Sequence, residues 1–221
     1  MCGRFSLAAT LKAITIRFDA SPLSSKWHPR FNIAPGQTVL SIVSDQHQRS
    51  IVDMTFGFIP HWAKEKATGY TMINAKAETV AEKPSYKESF LHKRCLIPAD
   101  GFYEWKTTTE GKLPYRFTLK DNSLFAFAAI WDTWKSPEGD TKNTFAIITT
   151  EGNSLTNQLH DRMPVILHQK DEATWLDPLL TKPEHLQPLL KPYPAAAMEM
   201  YAVSPMVNSW RNDTPECIKP I

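Results

Sequence analysis

Several things this chain has little of narrow what it can be. It holds three cysteines, Cys2, Cys95 and Cys217, far apart and with no C-x-x-C pair. That argues against a zinc site or a disulfide framework and suits a reducing compartment. No apolar run approaches the roughly 20 residues that span a bilayer, so no membrane partner is expected. The start of the chain lacks a basic segment followed by a long apolar one, so no secretory signal is visible and a cytoplasmic location is expected. Excess charge is also missing. The net charge is only +2 and the pI near 8.4, short of the basic signature of a protein that coats nucleic acid. Any such contact must come from a local patch. Repeats, low-complexity tracts and linkers are absent, and 221 residues suffice for one substantial core.

Eight glycines stand against 17 prolines, which reads as many short elements joined by stiff turns. Leu11, Ile14 and Phe18 have helical spacing, so a short amphipathic helix is expected within Ala8 to Phe18. The stretch from Trp27 to Gly36 reads as a rigid loop, Val39 to Val43 as a buried strand and Ile51 to Phe58 as a half-buried one. His61 to Lys66 reads as a loop with an aromatic beside two lysines. A strand end passing into a helix is expected over Met72 to Thr79, and a second helix over Pro84 to His92. Arg94 to Ile97 and Phe102 to Trp105 bracket the turn sequence Pro98-Ala99-Asp100-Gly101. Tyr115 to Leu119 and Leu124 to Trp131 predict a hairpin around Asp121-Asn122-Ser123, with Phe125, Phe127, Ala129 and Trp131 on one face. Strands are expected at Phe145 to Thr150, Pro164 to Leu167 and Met200 to Val203, and helices at Asp171 to Leu176 and Glu184 to Leu190. Strands dominate without a β-α-β rhythm. The expected fold class is α+β: one domain over 1–221, a curved, mostly antiparallel sheet or barrel with short peripheral helices.

The chemistry is concentrated in Met1-Cys2-Gly3-Arg4-Phe5. If Met1 is removed, Cys2 carries an α-amine and a thiol on adjacent carbons. The amine can form an imine with an aldehyde, and the sulfur can then add to close a five-membered thiazolidine. Ordinary pKa values of about 7.7–8.0 and about 8.5 leave both groups usable near neutrality. The plainer alternative is that Cys2 is a packed core residue, a common fate for cysteine.

Six blocks, in order, give the chain its resemblance. They are Met1-Cys2-Gly3-Arg4-Phe5, Asn32-x-Ala34-Pro35-Gly36, Gly57-x-x-Pro60-x-Trp62, Ile73-Asn74-Ala75-x-x-Glu78-Thr79, Asp100-Gly101-Phe102-Tyr103-Glu104-Trp105-Lys106, and Ile147-x-Thr149 with His160-Asp161-Arg162-x-Pro164. Val203-Ser204-x-x-Val207-Asn208 extends them toward the C-terminus. In these blocks the chain resembles the SRAP (SOS-response-associated peptidase) family, the abasic-site-processing proteins. The resemblance implies a protein that binds single-stranded DNA, captures the aldehyde of an abasic site covalently on Cys2, and has peptidase-like self-processing that exposes it. It places the family's active-site Asn, Glu and His on Asn74, Glu104 and His160, and its phosphate-contacting arginines on Arg4 and Arg162. No cofactor or metal is expected, a monomer is expected, and in a bacterium the location would be the nucleoid.

The residue chemistry is compatible with these roles. Loss of water from a carbinolamine needs an acid, which a desolvated Glu104 could supply; the alternative is a solvated strand carboxylate. His160 could move a proton or hold the opened sugar's hydroxyl, or simply pair with Asp161 on the surface. Asn74 could orient the amine or bind a sugar oxygen, or cap a helix. Trp62 with Lys64 and Lys66, and Phe31 with Arg30, have the composition of single-strand grooves; Trp27 reads more as core. The candidate DNA contacts are therefore Arg4, Pro35, Trp62, Lys76, Thr149 and Arg162, with Pro35 and Thr149 entering through their motifs. Lys76 stands where the family often has Arg, keeping the charge but losing the bidentate fork. Two rival readings remain. Class II glutamine amidotransferases also begin Met-Cys-Gly, but their glutamine-binding blocks cannot be placed here. A non-catalytic single-strand-binding module would need no free N-terminus.

Overall fold

The computed structural model describes residues 2–23, 26–45, 48–64, 72–109 and 111–221. Its first strand, β1 (Phe5–Leu7), runs into α1 (Leu11–Phe18). Thr10 caps this helix by accepting the Ala13 N–H, and Asp19 ends it in the left-handed region at φ 48°. Ile14 and Phe18 are its buried residues, as the spacing predicts.

Strands β3 (Arg30–Ile33), β8 (Gly101–Thr108), β9 (Gly111–Leu119) and β14 (Met198–Ala202) join β1 in an antiparallel sheet ordered β14-β9-β8-β1-β3. The second sheet is built on β4 (Thr38–Ser44), β5 (Arg49–Phe56), β7 (Arg94–Ala99), β10 (Phe125–Lys135) and β11 (Thr141–Glu151). They neighbour one another in the order β11-β10-β7-β4-β5, and β5 then pairs in parallel with β11 and closes a barrel. Closure pairs the strand edges that would otherwise invite association. At the rim, β2 (Ala20–Pro22) pairs with β5, β6 (Asn74–Lys76) and β12 (Arg162–Pro164) flank β11, and β13 (Ile166–Leu167) pairs with β10. Three further short helices, α2 (Lys87–His92), α3 (Glu172–Leu176) and α4 (Pro183–Leu186), lie outside the sheets.

The two sheets share a core. Phe5 of the five-stranded sheet meets Phe56 and Phe127 of the barrel edge-on, at ring distances of 5.8 and 5.7 Å. Phe102 stacks on Phe117 at 4.9 Å and reaches Phe127 at 6.2 Å. This is the α+β, sheet-dominated architecture expected from the sequence. Among the described residues, no helix is long and apolar enough to cross a membrane.

Four local expectations need correction. Asp121-Asn122-Ser123 does turn the chain, with Asn122 at φ 55° and Ser123 N–H bonded to Asp121, but β9 and β10 belong to different sheets and form no hairpin. In β10, Phe125 to Ile130 are all buried, because inside a closed barrel wall covered by the other sheet both faces lie in apolar surroundings. The loop from Trp27 to Gly36 contains β3. After Asn74 the chain makes successive turns over 77–82 instead of a helix. Glu65 and Lys66 lie outside the described residues.

Candidate active site

Pairing of β1 with β8 sets the site. Phe5 faces Phe102 across the strands, and Phe102 faces Phe117, so the core-facing side of β8 is fixed. Alternation then puts Glu104 on that side and sends Tyr103 and Trp105 to the other. There Tyr103 is buried with Val203, Val207 and Cys217, and Trp105 packs against the same cluster. Glu104 is consequently desolvated, 6% exposed, and burial pushes its carboxyl up to about 7; the positive amino terminus pulls the other way.

Cys2 is fully buried in the main core. Its thiol is pushed well above the usual range, first by burial and then by the charge of Glu104, which places the two groups within electrostatic reach. Asn74 arrives from the barrel side, since β6 runs parallel to β11 with Asn74 opposite Ile147. Its Nδ2 donates to the carbonyls of Cys2 and Ile73, both at 3.0 Å, while its buried Oδ1 has no partner among the described residues. The sequence allowed Asn74 a helix-capping duty; with no helix following, that role falls away.

His160 sits in the turn before β12. Gly152 closes that turn: its N–H donates to Asp161 O at 2.7 Å, and a Cβ there would come within 3.0 Å of the His160 carbonyl and nearer still to Asn157. Burial and the positive amino terminus lower the His160 pKa, favouring the neutral ring. Its Nδ1 accepts the Arg162 N–H at 2.9 Å, which assigns the ring proton to Nε2. Asp161 also lies 2.9 Å from Nδ1 and raises the pKa, without offsetting burial and the amino terminus. Cys2, Asn74 and Glu104 thus meet where the two sheets abut.

The candidate DNA contacts divide into separate groups. Lys76, Thr149 and Arg162 come together along β6, β11 and β12. Lys76 is exposed, whereas Thr149 is 1% exposed and contributes its carbonyl, which accepts from Arg162 Nη2 at 2.6 Å. Arg162 makes a two-pronged ion pair with Glu78, at 2.5 and 2.9 Å, and this holds the Glu78 carboxyl below its usual range. Arg4 lies elsewhere: Nη1 donates to Asn32 Oδ1 at 2.8 Å and Val207 O at 2.7 Å, and its guanidinium lies over Trp105. Pro35 with Gly36 (φ 86°) forms a type II turn closed by Gln37 N–H to Ala34 O. Trp62 is 60% exposed, on a loop pinned by His61 N–H to Asp132 and Trp134 Nε1 to Ala63 O. Trp27 packs against the core and donates to Ala9 O, and Arg30 is tied to Asp213.

The sequence reading missed Asn32, Asp132 and Asp213 as anchors. Asn32 and Asp213 bridge residues about 180 positions apart, a separation that no local pattern reports. Among the described residues, no group of three or more His, Cys, Asp or Glu could hold a metal ion.

Comparison with known proteins bears on the family and the fold. The family model for SOS response associated peptidase (SRAP) matches residues 1–210. The abasic site processing protein YoqW of Bacillus subtilis (strain 168) is 46% identical over 222 residues, covering 99% of each chain. The abasic site processing protein HMCES of Gallus gallus is 33% identical over 229 residues, covering 89% of this chain and 67% of that one. A crystal structure of a Bacteroides thetaiotaomicron protein superposes with a TM-score of 0.90 at 29% identity, covering 100% of both chains.

Proposed function

This chain belongs to the SRAP family, the SOS response associated peptidases, and from that premise we propose that it captures abasic sites in single-stranded DNA on Cys2. The reactive form begins at Cys2, Met1 having been removed by self-processing, because an acylated amine cannot form an imine. The observation that carries the reading is Glu104, a carboxyl at about 7 within electrostatic reach of a buried Cys2.

The steps balance around that carboxyl. The Cys2 amine adds to the aldehyde of the ring-opened abasic sugar and gives a carbinolamine. Glu104 donates a proton to the departing hydroxyl, water leaves, and an iminium remains beside the Glu104 carboxylate. The carboxylate then takes the thiol proton, sulfur adds to the iminium carbon, and the thiazolidine closes with its nitrogen neutral. Glu104 is acidic again. A burial-raised thiol suits this sequence, since it stays protonated until a base forms next to it. His160 Nε2–H is available to the sugar hydroxyl freed on ring opening, and Asn74 Oδ1 to the amine. Without sulfur addition the iminium would acidify the neighbouring sugar carbon and favour β-elimination, a weak lyase activity that ring closure suppresses. Lys76 and Arg162 take backbone phosphates, Thr149 positions Arg162, and Trp62 stacks a base.

Intact-mass spectrometry tests this. Processed protein incubated with an abasic single-stranded oligonucleotide should gain the oligonucleotide mass less one water, with the linkage on the Cys2 peptide. An oligonucleotide whose aldehyde has been reduced to the alcohol should give no adduct. No adduct with the aldehyde, or one at another residue, would overturn the reading.

A further inference from the structure

We propose that Trp210 and Arg211 form a second base-stacking platform for single-stranded DNA, held beside the nucleophile by Arg4 and Asn32. The inference rests on the single-strand reading above. Trp210 is 51% exposed, and the Arg211 guanidinium lies 5.4 Å from its ring centroid. Arg211 is itself exposed and makes no ion pair among the described residues. A solitary exposed aromatic is ordinary on a protein surface. What sets this one apart is how firmly its loop is held.

Asn32, fully buried, donates through Nδ2 to the carbonyls of Val207, Ser209 and Asn212 at 3.2, 3.0 and 2.6 Å. The Asp213 carboxylate accepts the N–H groups of Phe31 and Asn32 and pairs with Arg30. Arg4, two residues from Cys2, donates to both Asn32 and Val207. The segment from Val207 to Asp213 is therefore fastened at four residues to β3 and to the chain leaving the nucleophile, yet it displays an indole to solvent. Rigid presentation of an aromatic with an adjacent cation is the composition by which single strands are held: the ring stacks a base and the cation meets the backbone. Because stacking ignores base identity, the platform would be sequence-tolerant. Its attachment through Arg4 would set how far the stacked base lies from the captured sugar.

The test uses a strand carrying a tetrahydrofuran abasic analogue, which has no aldehyde and so reports binding without crosslinking. W210A should weaken binding about tenfold and W210F less than threefold, with unchanged thermal midpoints because the side chain is exposed. Ultraviolet crosslinking of the wild-type protein to a 5-bromouracil strand needs no variant and should label the peptide bearing Trp210. Binding by W210A within twofold of wild type, or labelling confined to other peptides, would overturn the platform. If saturating abasic strand still modified Cys2 fully in W210A, the proposed function would survive that result. A wild-type protein that binds no single strand would overturn both.

Discussion

Among the described residues Glu104, Asp132 and Glu172 are buried carboxylates, and Glu104 and Glu172 are kept there by different means. Glu172 on α3 is 1% exposed and accepts Arg17 at 2.8 and 3.2 Å, with Arg49 at 3.7 Å. Its charge is balanced by two guanidinium groups. Glu104 on β8 is 6% exposed, and burial dominates its titration, holding the carboxyl at about 7. A charge balanced by fixed cations locks structure together; a carboxyl that burial keeps protonated up to about neutrality can give that proton away. The contrast sets a salt-bridged carboxylate apart from one suited to proton transfer at nearly equal burial.

The sharpest way to break the contrast is Glu104→Gln. Removing a group that transfers a proton typically costs about 10²–10⁴ in rate. Single-turnover crosslinking should fall by that factor, while affinity for an aldehyde-free strand stays put. Stability should move the opposite way. The folded state holds the Glu104 proton up to about pH 7, whereas the unfolded chain loses it near the ordinary value of 4.5. Stability therefore declines as pH rises through that window, by about 3 kcal/mol in full. Glu104→Gln should remove this decline, visible as a higher thermal midpoint than wild type at pH 8 and a smaller difference at pH 5. A crosslinking rate unchanged by the substitution would leave Glu104 without a chemical role.

Glu172→Gln should do the reverse. Breaking a buried pair strands the partner charges, but Arg17 and Arg49 are 19% and 22% exposed and stay partly hydrated. The expected loss is about 1–3 kcal/mol, below the range for fully buried partners. Denaturant melts would show it, and crosslinking below the melting range should match wild type. If Glu172→Gln slowed crosslinking a hundredfold at unchanged stability, burial alone could not distinguish the two carboxylates.

The sequence singled out Glu104, its proposed role through the family resemblance and its face through strand alternation, and left Glu172 unmarked, for a physical reason. Glu104 lies in a compact run, Asp100 to Lys106, whose strand alternation already assigns it a face opposite Tyr103 and Trp105. Glu172 is defined by Arg17 and Arg49, more than 120 positions away, and no local pattern encodes such a meeting. The same limit explains why the expected hairpin is absent. Asp121-Asn122-Ser123 has sound turn chemistry, but a turn specifies that the chain reverses and not which sheet receives it. Asn32 shows both sides. Its motif was readable, but its bonds to Val207, Ser209 and Asn212 appear only once β3 and the C-terminal segment are side by side.

The smallest effects concern the cations proposed to contact DNA, where the same contrast between a locked and an exchangeable charge recurs. The sequence grouped Arg4 with Arg162. In the fold, however, Arg4 is committed to Asn32 and Val207, while Arg162 is paired with Glu78, which is 51% exposed. An exposed carboxylate on a guanidinium fork occupies the geometry a phosphate would take, and a phosphate can displace it. Arg162→Ala and Lys76→Ala should each weaken single-strand binding several-fold and lower the slope of log affinity against log salt by about 0.7. Glu78→Gln removes the competing charge and should strengthen binding two- to threefold at low salt. Arg4→Ala should instead loosen the segment that carries Trp210, weakening binding with little change in the salt slope. Salt titrations of the four variants on one aldehyde-free strand decide it. A slope change for Arg4→Ala as large as that for Arg162→Ala would return Arg4 to the phosphates, and weaker binding by Glu78→Gln would show that Glu78 holds Arg162 in place for DNA instead of competing for it.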